Sequence, residues 1–182
     1  ETKALEAELK NPKSNEYGRA DKAAAWMLLS RLYLNAKVYT GTEKNNDVIT
    51  YTNKIIGSGY SLKSDYGSLF MADNHVNNPE VIFSINYDGL KTQTYGGTTF
   101  LVHAAVGGSM PVSYYGINGG WGGMRVTKSF VSLFPADGSD KRGIFYTDGQ
   151  TLEINDLSNF KNGYGFTKYR NIRFSDGKAG SD

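Results

Sequence analysis

A chain of 182 residues, 39% apolar and 21% charged, is long enough for one domain with a real core and borderline for two. A net charge of +2 without a Lys/Arg stripe argues against a nucleic-acid binder, and the lack of cysteine excludes disulfides, Cys-ligated zinc and thiol catalysis. No apolar run approaches the roughly 20 residues that span a bilayer.

In chain order, residues 1–10 (ETKALEAELK) are strong helix formers stopped by Pro12. A second helix is predicted over 19–38, with apolar residues nearly all round it, as in a helix packed on more than one side. After a loop over 39–46 that contains Gly41, a third helix is predicted from Asp47 to Ile56, with Asn46 or Asp47 as N-cap and Gly57 or Gly59 ending it. Two such helices form a hairpin, and Trp26-x2-Leu29-Ser30-x2-Tyr33 matches the first-helix signature of a tetratricopeptide (TPR) unit. Trp26 is then a packing residue.

From Tyr60 onward the character changes. Tyr66, Leu69 and Phe70 suggest a helical turn, 72–80 is a polar loop, and VIFSINY (81–87) reads as a β-strand. The stretch 92–125 follows, with Gly-Gly pairs at 96–97, 107–108, 119–120 and 122–123 and the rings of Tyr95, Phe100, Tyr114, Tyr115 and Trp121 set among them. Glycine-rich chain orders only where something outside it supplies rigidity. Large flat rings held at its turns beside Asn118 and Arg125 suit a carbohydrate, whose C–H faces pack on aromatic rings and whose hydroxyls need amide and guanidinium partners. Phe100, followed by Leu101 and Val102, reads as core, and His103 as a core histidine in a strand-like run. Of the neighbours Tyr114 and Tyr115, one is expected to be buried.

Beyond this stretch a short helix is predicted over 128–134, with Thr127 as N-cap and Pro135 past its end, then Asp-Gly turns at 137–138 and 148–149, and a last strand over 167–172. Overall the fold class is mainly α within α+β: TPR-like helices over 1–60, then a loop-rich, Gly/aromatic-rich region with short strands over 61–182. A glycosidase would need two carboxylates. Asp88, Asp137, Asp140, Asp148, Glu153 and Asp156 are available, but three of them begin Asp-Gly turns. Neither HExxH nor GxxxxGK[ST] occurs, and GxGxxG fails because Arg125 stands where its last glycine belongs.

The order of these pieces resembles the SusD/RagB family of outer-membrane glycan-binding lipoproteins. The resemblance is carried by 18–41 (GRADKAAAWMLLSRLYLNAKVYTG), 53–62, LFMADN (69–74), 79–110, NGGWGGMRVTKSFVSLF (118–134) and 145–171. It implies a non-enzymatic role, in which a lipid-anchored parent protein at the outer-membrane surface captures oligosaccharides, starch-like α-glucans foremost. It passes them to a SusC-like TonB-dependent transporter. By motif, Tyr95 (TQTYGGTT) and Trp121 (GGWGG) are the stacking rings, with Asn118 and Arg125 nearest for hydroxyl hydrogen bonds. No cofactor is required; a structural calcium is implied for family members, with Asp73 of the ADN loop as candidate ligand. The chain begins at Glu1 and stops at Gly-Ser-Asp with neither signal peptide nor lipidated cysteine, and so reads as a piece of a longer protein. The alternative is a TPR-type protein-interaction scaffold without its own sugar site.

Overall fold

The computed structural model describes residues 2–92 and 94–181. The chain forms two compact units. One takes it as far as Lys63 and then Asn78–Asn86, the other takes Ser64–Asn77 and everything from Tyr87 onward.

The first unit is helical. Asp21 caps α2 (Lys22–Leu34): its Oδ1 accepts the N–H of Ala23 at 2.8 Å and of Ala24 at 3.2 Å, while Oδ2 accepts the N–H of Lys13. The predicted 19–38 helix is broken at Asn35, whose amide side chain donates back to the Arg31 carbonyl; α3 (Ala36–Thr40) then runs to Gly41, left-handed at φ 74°. Next, α4 (Asn45–Ile56) packs on α2 through buried Ala23, Ala25 and Leu29 against Tyr51 and Ile55. Tyr33 and Tyr51 stack at 5.9 Å. Lys44, without a side-chain cap, precedes α4, rather than Asn46 or Asp47.

Trp26 packs as expected: its Nε1 donates to Glu6, which also pairs with Lys54, and Lys54 lies over the Trp26 ring. The helix predicted over 1–10 starts on Glu1, outside the described residues; within them only α1 (Thr2–Leu5) is helical, followed by i→i+3 turns. A helix that short has little cooperativity of its own.

VIFSINY does not form a strand. β-propensity needs a neighbouring ladder, and among the described residues no strand pairs with 81–87; Ile85 stays 80% exposed.

The second unit holds a small antiparallel sheet of order β1-β3-β2, from β1 (Arg125–Val126), β3 (Tyr164–Phe166) and β2 (Phe145–Tyr146). Arg125 faces Gly165 across one ladder and Phe145 faces Phe166 across the other. The last strand thus lies before the predicted 167–172. The choice is steric: a Cβ at Gly165 would sit 3.1 Å from Met110 Sδ and 3.2 Å from Tyr146 Cβ, so the central strand passes where the core is tightest. Val106, Met110 and Tyr115 form that core, flanked by Ile117, Tyr146 and Phe160.

α5 (Gly97–His103) was not foreseen, whereas α6 (Lys128–Val131) has the predicted cap, Thr127 Oγ1 accepting the N–H of Phe130. Among the described residues no helix is long and apolar enough to cross a membrane. Regular structure is therefore mainly helical with one three-stranded sheet, an α+β arrangement.

Candidate functional site

Trp121 is held from below by backbone. Its N–H donates to the His103 carbonyl at 2.8 Å, and Gly122, Gly123 and Met124 donate to Val106 and Ala104 at 2.7–2.9 Å. The segment 119–124 thus lies directly on the end of α5 and the turn after it. Only glycine permits the approach: a Cβ at Gly120 would stand 2.2 Å from the Val106 carbonyl oxygen, and one at Gly107 2.8 Å from Gly122 Cα. Outside support for a glycine-rich stretch is here supplied by its own two halves.

Side chains complete the arrangement. His103, 9% exposed, bonds through Nδ1 to the Gly119 carbonyl at 2.7 Å, and its ring lies nearly parallel to Trp121 at 5.1 Å. One face of the indole is therefore covered, yet Trp121 keeps 45% of its surface exposed. Tyr95, 86% exposed, and Phe100, 44% exposed, each reach the indole at 6.3 Å with tilts of 53° and 57°. Gly96 is the N-cap of α5, so Tyr95 and Phe100 occupy the positions flanking a helix start that commonly meet, while Phe100 and His103 share a face at i, i+3. The result is a shelf of three tilted rings with a histidine beneath the middle one. Among the described residues no cation lies over any of the three.

Phe100 is thus a surface ring rather than core, and His103 is the buried histidine expected, on a helix instead of a strand. Gly96 and Gly97 concealed α5; the usable signal was the 95/100/103 spacing across them. Of the predicted motif TQTYGGTT, Gln93 lies outside the described residues. Tyr115 is the buried tyrosine of its pair at 2%, Tyr114 the exposed one at 54%.

Asn118 is exposed, beside the Gly119 that His103 holds, and its amide bonds to no described residue. Arg125 faces the 157–160 turn: its guanidinium donates to the carbonyls of Asn159 and Leu157 and lies over the Phe160 ring. These partners all lie on that turn, and none belongs to the aromatic shelf.

Asp73 spends both oxygens on the N–H groups of Phe174 and Ser175, at 2.7 and 3.0 Å. Burial raises its pKa, but those donors outweigh it and hold the carboxyl below the usual range. Among the described residues no group of three or more His, Asp or Glu gathers as a metal site. Asp73 is a turn anchor, with both carboxylate oxygens on backbone N–H groups.

Most of the carboxylates a glycosidase might use are likewise occupied. Asp88 accepts from Leu90 N–H, Asp137 from Ser139 and Asp156 from Ser158, and Glu153 pairs with Lys128. Hydrogen bonds from these serines keep Asp137 and Asp156 low, and Arg142 pulls Asp140 down to about 2. A glycosidase proton donor needs the opposite shift.

The match in sequence supports SusD-like family membership for this chain. Over 137 residues it is 42% identical to the starch-binding protein SusD of Bacteroides thetaiotaomicron, a match covering 74% of this chain. The chain spans about a quarter (24%) of the length of that curated relative. No protein-family model matches the chain.

Proposed function

We propose that this chain carries a non-catalytic glycan-binding surface, with starch or another α-glucan as its ligand. The observation that supports it is the exposed shelf of Tyr95, Phe100 and Trp121 on a backbone that cannot shift without breaking its hydrogen bonds to 103–106. Tilted rings present successive faces to successive sugar units, and Asn118 supplies a free amide for hydroxyls. The named property of the relative, starch binding, agrees with this use. Capture by stacking and hydrogen bonding changes no covalent bond, so it needs no cofactor and no general acid. Without charge at the shelf, affinity depends little on salt. Single contacts are shallow and wet, and a polymer gains by engaging several at once.

In this proposal the parent protein is lipid-anchored at the outer-membrane surface and hands its glycan to a SusC-like TonB-dependent transporter. The α2–α4 pair is TPR-like and serves protein contacts; exposed Ile49 and Ile56 on α4, with Val38 on α3, favour a partner there. Affinity electrophoresis in amylopectin gels tests the glycan reading: retardation is expected, little changed by added salt. A protein that migrates freely through every polysaccharide, yet copurifies with a large outer-membrane barrel, is a scaffold instead. Release of reducing sugar, abolished by one carboxylate substitution, would make it an enzyme.

A further inference from the structure

The second unit contains a cavity of about 600 Å³ that shares no residue with the aromatic shelf. That volume lies within the range of small-molecule sites, roughly 300–1,000 Å³. It opens between the 65–71 turn, the turn at 111–115, β2 and the segment 167–174, with Phe145 and Tyr146 among its apolar walls. Three polar groups on its lining have unspent capacity. The Tyr115 phenol, on a residue 2% exposed, bonds to no described residue, and its hydroxyl is not sealed off but keeps a little open surface. Burial pushes it up to about 12, so it stays a hydroxyl at every ordinary pH. The Lys168 ammonium lies 4.0 Å from the Phe70 ring centroid and pairs with no described carboxylate. Asp65 uses Oδ1 to hold Ser68 N–H, and its Oδ2 bonds to no described residue.

Arg170 also lines the cavity, but it is largely committed, lying over Tyr114 at 4.1 Å and donating to its carbonyl and hydroxyl. Its charge still counts, so two cations face one carboxylate. Ring walls take an apolar C–H face, a phenol and a carboxylate take hydroxyls, and a lone ammonium takes an anion. One compact molecule offers all three: a pyranose bearing a carboxylate.

We propose that this cavity is a second ligand site, for the hexuronate class of acidic sugars. The carboxylate meets Lys168, with Arg170 behind it; ring hydroxyls meet Tyr115 and Asp65; a ring face lies along the wall that β2 supplies. The site is independent of α-glucan capture at the shelf and differs from it in needing charge.

Titration of the ¹⁵N-labelled chain with sodium D-glucuronate, D-glucose and sodium acetate tests the assignment. Glucuronate is expected to shift amides in 65–71 and 167–174 and to saturate in the millimolar range, about tenfold tighter than either control. Lys168→Met, which keeps an apolar stem on Phe70, weakens it about tenfold, and Tyr115→Phe, which keeps the core ring, about fivefold. Trp121→Ala leaves it unchanged, so failure here and failure of the glucan shelf read separately. Equal shifts from acetate, no saturation, or full affinity in a folded Lys168→Met protein overturns the proposal.

Discussion

Replacing Trp121 by alanine is the sharpest perturbation of the proposed glycan shelf. The indole keeps 45% of its surface open. For a side chain of this size that is on the order of 100 Å², of which one pyranose face covers roughly half. At about 25 cal/mol per Å² the indole side alone is worth about 1.3 kcal/mol, a rise in Kd of roughly tenfold on truncation. The four N–H bonds from 121–124 to the carbonyls of His103, Ala104 and Val106 are backbone and survive the change. Loss of binding should therefore occur in a folded protein, verified by unchanged far-UV circular dichroism. Affinity electrophoresis in amylopectin reads the effect, and Trp121→Phe should fall between wild type and Trp121→Ala. Equal retardation of wild type and a folded Trp121→Ala refutes the stacking role.

Further outcomes follow from the same geometry. Tyr95→Ala, at a ring 86% exposed, should weaken glucan binding severalfold while moving stability by less than about 0.5 kcal/mol in urea titration. Gly120→Ala drives a Cβ to 2.2 Å from a backbone oxygen and should cost about 2–3 kcal/mol, lowering Tm by about 5–10 °C. Gly119→Ala, with nothing within 4 Å of the added carbon, should be close to neutral; equal melting of the two variants would contradict the cradle. Asp73 is held below its ordinary value of 3.8 by the amides of Phe174 and Ser175. A lowered folded pKa gives stability that is complete above the unfolded value and lost as pH falls through the folded one. Protection of those two amides against hydrogen exchange should therefore persist at pH 5 and fade below about pH 3.8, and Asp73→Asn should weaken it at both.

Much of the frame was legible where the signal is local. The Thr127 cap and the Asp-Gly turns at 138 and 149 each depend on a few consecutive residues, and appear as read. Strands were read less well. VIFSINY has the residues of a strand but pairs with no strand among the described residues, whereas β3 runs through Gly165, the residue a propensity argument would avoid. The shelf was half visible: Trp121 and Tyr95 stood out between glycines, but Phe100 looked like core because α5 was hidden behind Gly96 and Gly97.

Sequence alone determined the family resemblance, the helical pair, the Thr127 cap, the Asp-Gly turns and the two most conspicuous rings, because each is carried by short windows of consecutive residues. Tertiary structure decided which carbonyls Arg125 donates to, which amides the Asp73 carboxylate accepts from, which face of Trp121 His103 covers, and that Phe100 joins the shelf. Those choices depend on segments that meet across distances of 16 to 101 residues in the chain. Such meetings are selected by close packing of backbone on backbone, which no periodicity or propensity records.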